Sequence, residues 1–304
     1  MKHLIFSLVA GLSLAVAPTA SYAKIEVITS ITPLKSITES IGGDLVDVKS
    51  IGRGTEDPHF VEVRPSFIMT IAKAKMYVSI GMQLDYWAKP LIENSRNPDI
   101  LTVYANPGIH VLGLPSVRVT AQLGDVHPEG NPHYWLDPYN VPTMVKNILA
   151  GLVQVDPPHA QDYQKNAKAF LAQLKKADQD WQKRLKPYAG TKIVTFHESW
   201  DYFAKHFHFV VEGQVEPKPG IPPSGAHTEE IIQLVKRDHI PLIIQEPYYP
   251  SAHPDLIAKK TGAKVLKLPQ LCEGGPGTET YLKLLEYNVS HLEKALKDQG
   301  KASK

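Results

Sequence analysis

Short runs of β-branched and other apolar residues recur along the chain at Ile25 to Thr29, Leu45 to Gly52, Met76 to Ser79 and Ile100 to Val103, with amphipathic, helix-like stretches between several of them. A second series follows at Lys192 to Phe196, Phe209 to Gly213, Leu242 to Gln245 and Lys264 to Leu268, with helical patterns such as Glu229 to Lys236 and Tyr281 to Lys297. Strands that alternate with helices need crossover connections, and these build parallel sheets covered by helices on both faces. The pattern therefore predicts an α/β protein with two βα lobes.

A different segment runs between the two series. From about His159 to Leu185, the residues Tyr163, Ala167, Phe170, Leu174, Ala177 and Trp181 recur at alternating steps of four and three, which is one apolar face of a long helix. Lys165, Lys168, Lys175, Lys176, Asp178, Asp180, Lys183 and Arg184 occupy the other faces, and Pro157-Pro158 and Pro187 punctuate the ends. Roughly 24 helical residues make a rod of roughly 36 Å, long enough to back both lobes and to restrain hinge motion. A stripe this short favours packing on its own chain over a coiled-coil seam, so a monomer is expected. The organisation reads as an N-terminal lobe over 24–155, a linking helix over 156–188 and a C-terminal lobe over 189–304.

The first 23 residues read as a secretory signal peptide. Lys2 supplies a positive start, Leu4 to Ala17 an apolar run and Ser21-Tyr22-Ala23 a cleavage site after Ala23. The apolar run falls short of the about 20 residues of a membrane span. Lys24, Ile25 and Glu26 follow the cleavage point where a lipid anchor would need a cysteine, so a free periplasmic protein is expected. Cys272 is the sole cysteine, which excludes an internal disulfide and leaves stability to a conventional core, with Cys272 itself as a small buried residue. The 33 basic and 31 acidic residues are dispersed, which argues against a nucleic-acid partner.

The candidate chemistry lies in three histidines, each in a short polar motif: Asp57-Pro58-His59, Asn131-Pro132-His133-Tyr134-Trp135-Leu136-Asp137-Pro138, and Thr195-Phe196-His197-Glu198. His59 follows the strand ending near Gly52, His133 lies in the long loop after Val103, and His197 directly follows a strand. All three fall at or beyond carboxyl ends of strands, the edge where open α/β sheets bind ligands. Two come from the first lobe and one from the second, which places a metal site in the interlobe cleft. Pro58 and Pro132 fix φ and hold the preceding residue extended, presenting the histidine from a stiffened loop. Stiffness lowers the ordering cost of binding. Any one of these motifs alone is equally well a loop or capping histidine; three together make a metal shell the stronger reading.

These residues resemble the periplasmic solute-binding proteins of bacterial ABC importers that deliver zinc or manganese, cluster A-I, and within them the zinc-uptake branch. The features that carry the resemblance are Asp57-Pro58-His59, Pro132 to Pro138, His197 after a strand, the long central helix, and the segment from Gly275-Pro276-Gly277-Thr278 to Tyr287-Asn288. It covers essentially the whole mature chain. The resemblance implies two lobes joined by a rigid helix, one metal ion in the cleft, binding without catalysis, and handover to a membrane permease driven by an ATPase. It assigns His59, His133 and His197 as the first three ligands. Relatives that take manganese commonly carry a carboxylate where His197 stands. Neutral imidazoles suit Zn²⁺, whereas Mn²⁺ prefers oxygen, so Zn²⁺ is the expected solute ahead of Mn²⁺, Cu²⁺ or Ni²⁺.

One departure from the family pattern is that its usual fourth ligand, an aspartate, aligns with Pro269, whose side chain cannot ligate. The expectation is then a water in the fourth position, with Glu246 behind the ligands or as an occasional direct donor if its strand neighbours that of His197. Open zinc positions also serve catalysis, so a three-histidine hydrolase is the competing class. Against it, His197-Glu198-Ser199-Trp200-Asp201 lacks the second histidine of a metalloprotease helix. An adhesin-like surface protein is a further alternative, weakened by the missing lipid-anchor cysteine. His127 is a candidate for helping metal capture, although His110 and His127 alone do not make a histidine-rich loop. Lys205-His206-Phe207-His208-Phe209 reads as packing and exposure rather than a metal pair, Gly274 to Gly277 as a turn, and Pro217 to Gly225 as a shaped loop at the cleft rim.

Overall fold

The structure is a computed structural model and describes residues 23–116, 127–218 and 220–302. The signal-peptide expectation falls on 1–23 and so lies, but for Ala23, outside the described residues. The first series of apolar runs forms β1 (Ile25–Thr29), β2 (Val46–Ser50), β3 (Met76–Ser79) and β4 (Leu101–Tyr104), connected through α1 (Thr32–Gly42), α2 (Pro65–Ile71) and α3 (Lys89–Asn94). They make a parallel sheet in the order β2-β1-β3-β4, with Ile25 opposite Val46, Val27 opposite Met76 and Met76 opposite Leu101. After α4 (Val141–Val155) and α5 (Ala160–Leu185) the second series forms β5 (Lys192–Thr195), α6 (Asp201–Phe207), β6 (Val210–Gln214), α7 (Gly225–Arg237), β7 (Leu242–Gln245), α8 (Ala252–Thr261), β8 (Lys264–Lys267) and α9 (Tyr281–Ala302). Its sheet, also parallel, has the corresponding order β6-β5-β7-β8.

Both lobes thus share one topology, with the order reversing beside β1 in the first and beside β5 in the second. Connections leaving β1 and β3, and those leaving β5 and β7, run to opposite sides and open a crevice at the carboxyl edge, the usual ligand position of such sheets. Central strands such as β3 and β7 are buried along their whole length, which is why their sequences read as apolar runs rather than alternations.

The apolar stripe of α5 is buried at Tyr163, Ala167, Phe170, Leu174, Trp181 and Leu185, and it packs against α1, α4 and α9 of the same chain. Each such side chain contributes about 1.5–3 kcal/mol on burial, so the stripe fastens the helix to both lobes at once. Polar contacts fix its angle to α9: Trp181 Nε1 donates to Glu286 Oε2 at 2.8 Å, and the Arg184 guanidinium reaches Glu286, Glu293 and Ser290.

His206 on α6 is more deeply placed than the sequence suggested. Its Nδ1 lies 2.7 Å from Asp137 and its Nε2 2.6 Å from Asp178, and its side chain is 9% exposed. A single imidazolium thereby ties the second lobe to the His133-bearing segment and to α5. Burial disfavours its charge, yet the hydrogen bonds to Asp137 and Asp178 prevail and raise its pKa to about 9. Because the folded value exceeds the unfolded one, the contribution is complete below about pH 6.5 and is lost as pH rises through the folded value; it amounts to roughly 3 kcal/mol. In urea titrations His206→Gln should be destabilised by about that amount at pH 6, and its deficit against the parent should shrink by pH 9.5. A deficit independent of pH would show that the clamp is not ionic.

Candidate metal centre

Two of the three histidines are aimed by one local device. In Asp57-Pro58-His59, the Asp57 carboxylate accepts from the His59 backbone N–H at 3.0 Å and from its Nδ1 at 2.8 Å. In Asn131-Pro132-His133, Asn131 Oδ1 accepts from the His133 backbone N–H and from Nδ1, both at 2.9 Å. An acidic or amide side chain closing on the residue two further along is a turn that needs no sheet or helix around it, and the intervening proline narrows its backbone freedom. His197, at the end of β5, is aimed from a distance instead, its Nδ1 lying 2.7 Å from Glu216 Oε2 two residues beyond β6. Since the oxygens on these three rings act as acceptors, each Nδ1 carries the proton and each Nε2 is left with a lone pair.

Those lone pairs meet. The donor atoms of His59, His133 and His197 all lie within 4.8 Å of one another, and each Nε2 is buried with no hydrogen-bond partner among the described residues. The ring centroids are 5.1 Å apart for His59 and His133, 5.1 Å for His59 and His197, and 5.2 Å for His133 and His197. A Zn–N bond of about 2.1 Å puts an imidazole centroid about 3.2 Å from the ion, so two rings at the tetrahedral angle have centroids about 5.2 Å apart. The donor set and its spacing fit a tetrahedral divalent ion.

The site is sealed rather than open. Side-chain exposure is 2% for His59 and 3% for His197, and His133 is fully buried. A hollow of about 890 Å³ on the first lobe, lined by Tyr77, Asp85, Tyr86 and Tyr104, includes none of the three. The two lobes meet beside the histidines. Asn131 Nδ2 donates to the Glu198 carbonyl at 2.8 Å, and Tyr202 Oη donates to the Asn131 carbonyl at 2.9 Å. On the other flank a Cβ at Gly54 would lie 2.0 Å from the Cys272 carbonyl, so only glycine lets the His59 loop approach the second lobe this closely.

Charge is arranged to match. Burial, reinforced by the neighbouring imidazoles, pushes the His133 pKa well down, and the same causes bring His127 to about 3. Burial opposes protonation of His197 as well, but its bond to Glu216 and the nearby Glu246 carboxyl raise its pKa. Burial raises Asp57 too, yet the bonds to His59 hold it below the usual carboxylate range. Two carboxylates thus stand behind the imidazoles, where they would raise the basicity of the rings and offset the charge of a bound cation.

Glu246 directly follows β7, the neighbour of β5, as the sequence reading required. It is fully buried; its Oε1 accepts from Ser199 Oγ and from Trp200 Nε1 at 3.1 Å, while Oε2 has no partner among the described residues. Burial raises its pKa to about 7 against the opposing influence of His197. It lies outside the set whose donors are all within 4.8 Å of each other. Pro269 is buried, and its carbonyl accepts from Asn288 Nδ2 at 2.8 Å, anchoring α9 under the site. Glu216 escaped the sequence reading. Its one signal is a carboxylate just past the carboxyl end of a strand, the same signal that marked Glu246.

Two parallel-sheet lobes on a backing helix, with unpartnered imidazole nitrogens converging between them, define a metal-binding substrate-binding protein of ABC uptake systems. The profile of the family described as "ZnuA: Zinc-uptake complex component A periplasmic" matches residues 27–295, and the chain belongs to that family. The iron-binding protein YfeA of Yersinia pestis is 28% identical over 287 residues, which cover 91% of this chain and 88% of YfeA. The manganese-binding lipoprotein MntA of Halalkalibacterium halodurans is 26% identical over 272 residues, covering 87% and 86% respectively. A crystal structure of ZnuA superposes with a TM-score of 0.78 at 26% identity, over 90% of this chain and 99% of that one. The family comprises periplasmic or lipid-anchored components of metal importers, which work with a permease and its ATPase; it is not one of enzymes, and the hydrolase alternative is set aside.

Replacing Glu216 with Gln should lower the His197 pKa, as read from imidazole Cε1 proton shifts in metal-free protein, and weaken metal binding by about 10–100-fold. An unchanged His197 titration would show that Glu216 does not orient that ring.

Proposed function

We propose that this chain captures Zn²⁺ in the periplasm, as a monomer exported after cleavage behind Ala23, and delivers it to an ABC permease. His59 and His133 supply Nε2 donors from the lobe spanning 24–155, and His197 supplies the third from the lobe spanning 189–304, with residues 156–188 as the linking segment. The observation that carries this reading is the trio of buried Nε2 atoms without partners, spaced for a tetrahedral ion. Leaving a buried polar atom unpaired costs about 1–3 kcal/mol, and three at one point are accounted for together by one cation. Choice among metals follows from the donors. YfeA is named for iron and MntA for manganese, but three imidazoles with carboxylates behind them, rather than among them, favour Zn²⁺ over Mn²⁺. Glu246 supports the site from behind His197, holding Ser199 and Trp200 in place.

Competitive titration of demetallated protein should show one Zn²⁺ per chain, bound more tightly than Mn²⁺ or Fe²⁺. Tighter binding of Mn²⁺ than of Zn²⁺ would overturn the assignment. Alanine at His59, His133 or His197 should each weaken Zn²⁺ by more than about 100-fold, beyond the loss expected for a supporting partner. Zinc needs neutral imidazoles, so its affinity should decline as the medium acidifies through about pH 6.5. Proton competition should begin at His197, whose pKa is raised. A flat affinity from about pH 7.5 to about pH 5.5 is incompatible with histidine ligation.

A further inference from the structure

A fourth imidazole stands at this site. His127 is 5% exposed, and its ring centroid lies 5.3 Å from that of His59, much like the separations within the trio. Its Nε2 is buried and has no hydrogen-bond partner among the described residues, as in the other three rings.

The backbone that carries it is held in place. The His127 carbonyl accepts from Gly130 N–H at 3.0 Å, and Asn131 N–H donates to the Leu112 carbonyl at 2.8 Å. Gly130 has φ +95°, and a Cβ there would lie 2.3 Å from Val111 Cγ1, so this turn is built for glycine. It joins His127 to Asn131, the residue that aims His133.

Resting on the metal-capture reading above, we propose that His127 is the fourth protein donor, so that the captured ion sits among four imidazoles rather than three and a water. His127 adjoins His59 and lies outside the trio's 4.8 Å set, so its ring would have to turn inward for Nε2 to reach the ion. Glu246 is the competing donor, with Oε2 free, but its other oxygen is committed to Ser199 and Trp200. His127 approaches from the first lobe, beside His59. An all-imidazole shell carries no charge of its own, which favours borderline-soft cations over Mn²⁺.

The test uses the full mature chain labelled with ¹⁵N-histidine and titrated with Zn²⁺. Long-range ¹H–¹⁵N spectra should show four Nε2 resonances moving to metal-bound positions, that of His127 among them. His127→Ala should leave three, weaken Zn²⁺ by about 10–100-fold, and melt like the parent when both are metal-free. Three shifted resonances in the parent with His127 unmoved, parent-like affinity in His127→Ala, or a loss confined to Glu246→Gln would each overturn this proposal while leaving the three-histidine site standing. If the parent takes up no Zn²⁺ at all, the reading beneath it fails as well.

Discussion

The organising constraint of this molecule is the burial of imidazole nitrogens that no group among the described residues satisfies. A fold normally pairs its buried polar atoms, yet here His59, His133 and His197 each spend one nitrogen on an oxygen and keep the other bare. The arrangement is tolerable only because the rest of the chain over-determines it. Two Asx-Pro-His turns, a carboxylate at a strand end and a closely approaching glycine position the rings before any ion arrives. Preorganisation of this kind lowers the ordering cost of binding and sharpens discrimination by geometry.

The two-lobed scaffold supplies that geometry economically. Each lobe repeats the same strand order, and each points its carboxyl edge at the other. The edges are used unequally. The first lobe contributes loops that travel well past its strands, whereas the second contributes residues directly at strand ends: His197 after β5, Glu216 after β6 and Glu246 after β7. One edge therefore reaches out while the other presents its residues at the strand ends, and α5 packs on helices of both lobes.

Much of this was legible in the sequence because its causes are local. Strand runs such as Ile25–Thr29, Met76–Ser79 and Leu242–Gln245, and the stripe from Tyr163 to Trp181, announce themselves by period. The motifs of His59 and His133 are self-contained turns, so proline and an Asx residue beside the histidine were enough to single them out. What escaped was non-local. Glu216 lies 19 positions from His197 and reaches it only because β6 pairs with β5. His206 looked like half of a surface pair because its partners Asp137 and Asp178 belong to other elements. His127 was noticed, but nothing in the sequence shows that its ring turns inward beside His59.

Asn131 has two occupations. Its Oδ1 aims His133, while its Nδ2 and its carbonyl reach Glu198 and Tyr202 across the cleft. Prising the halves apart would tug on the very amide that orients His133, so strain on the scaffold would reach that imidazole. A transporter that strained this contact would loosen the ion without touching it.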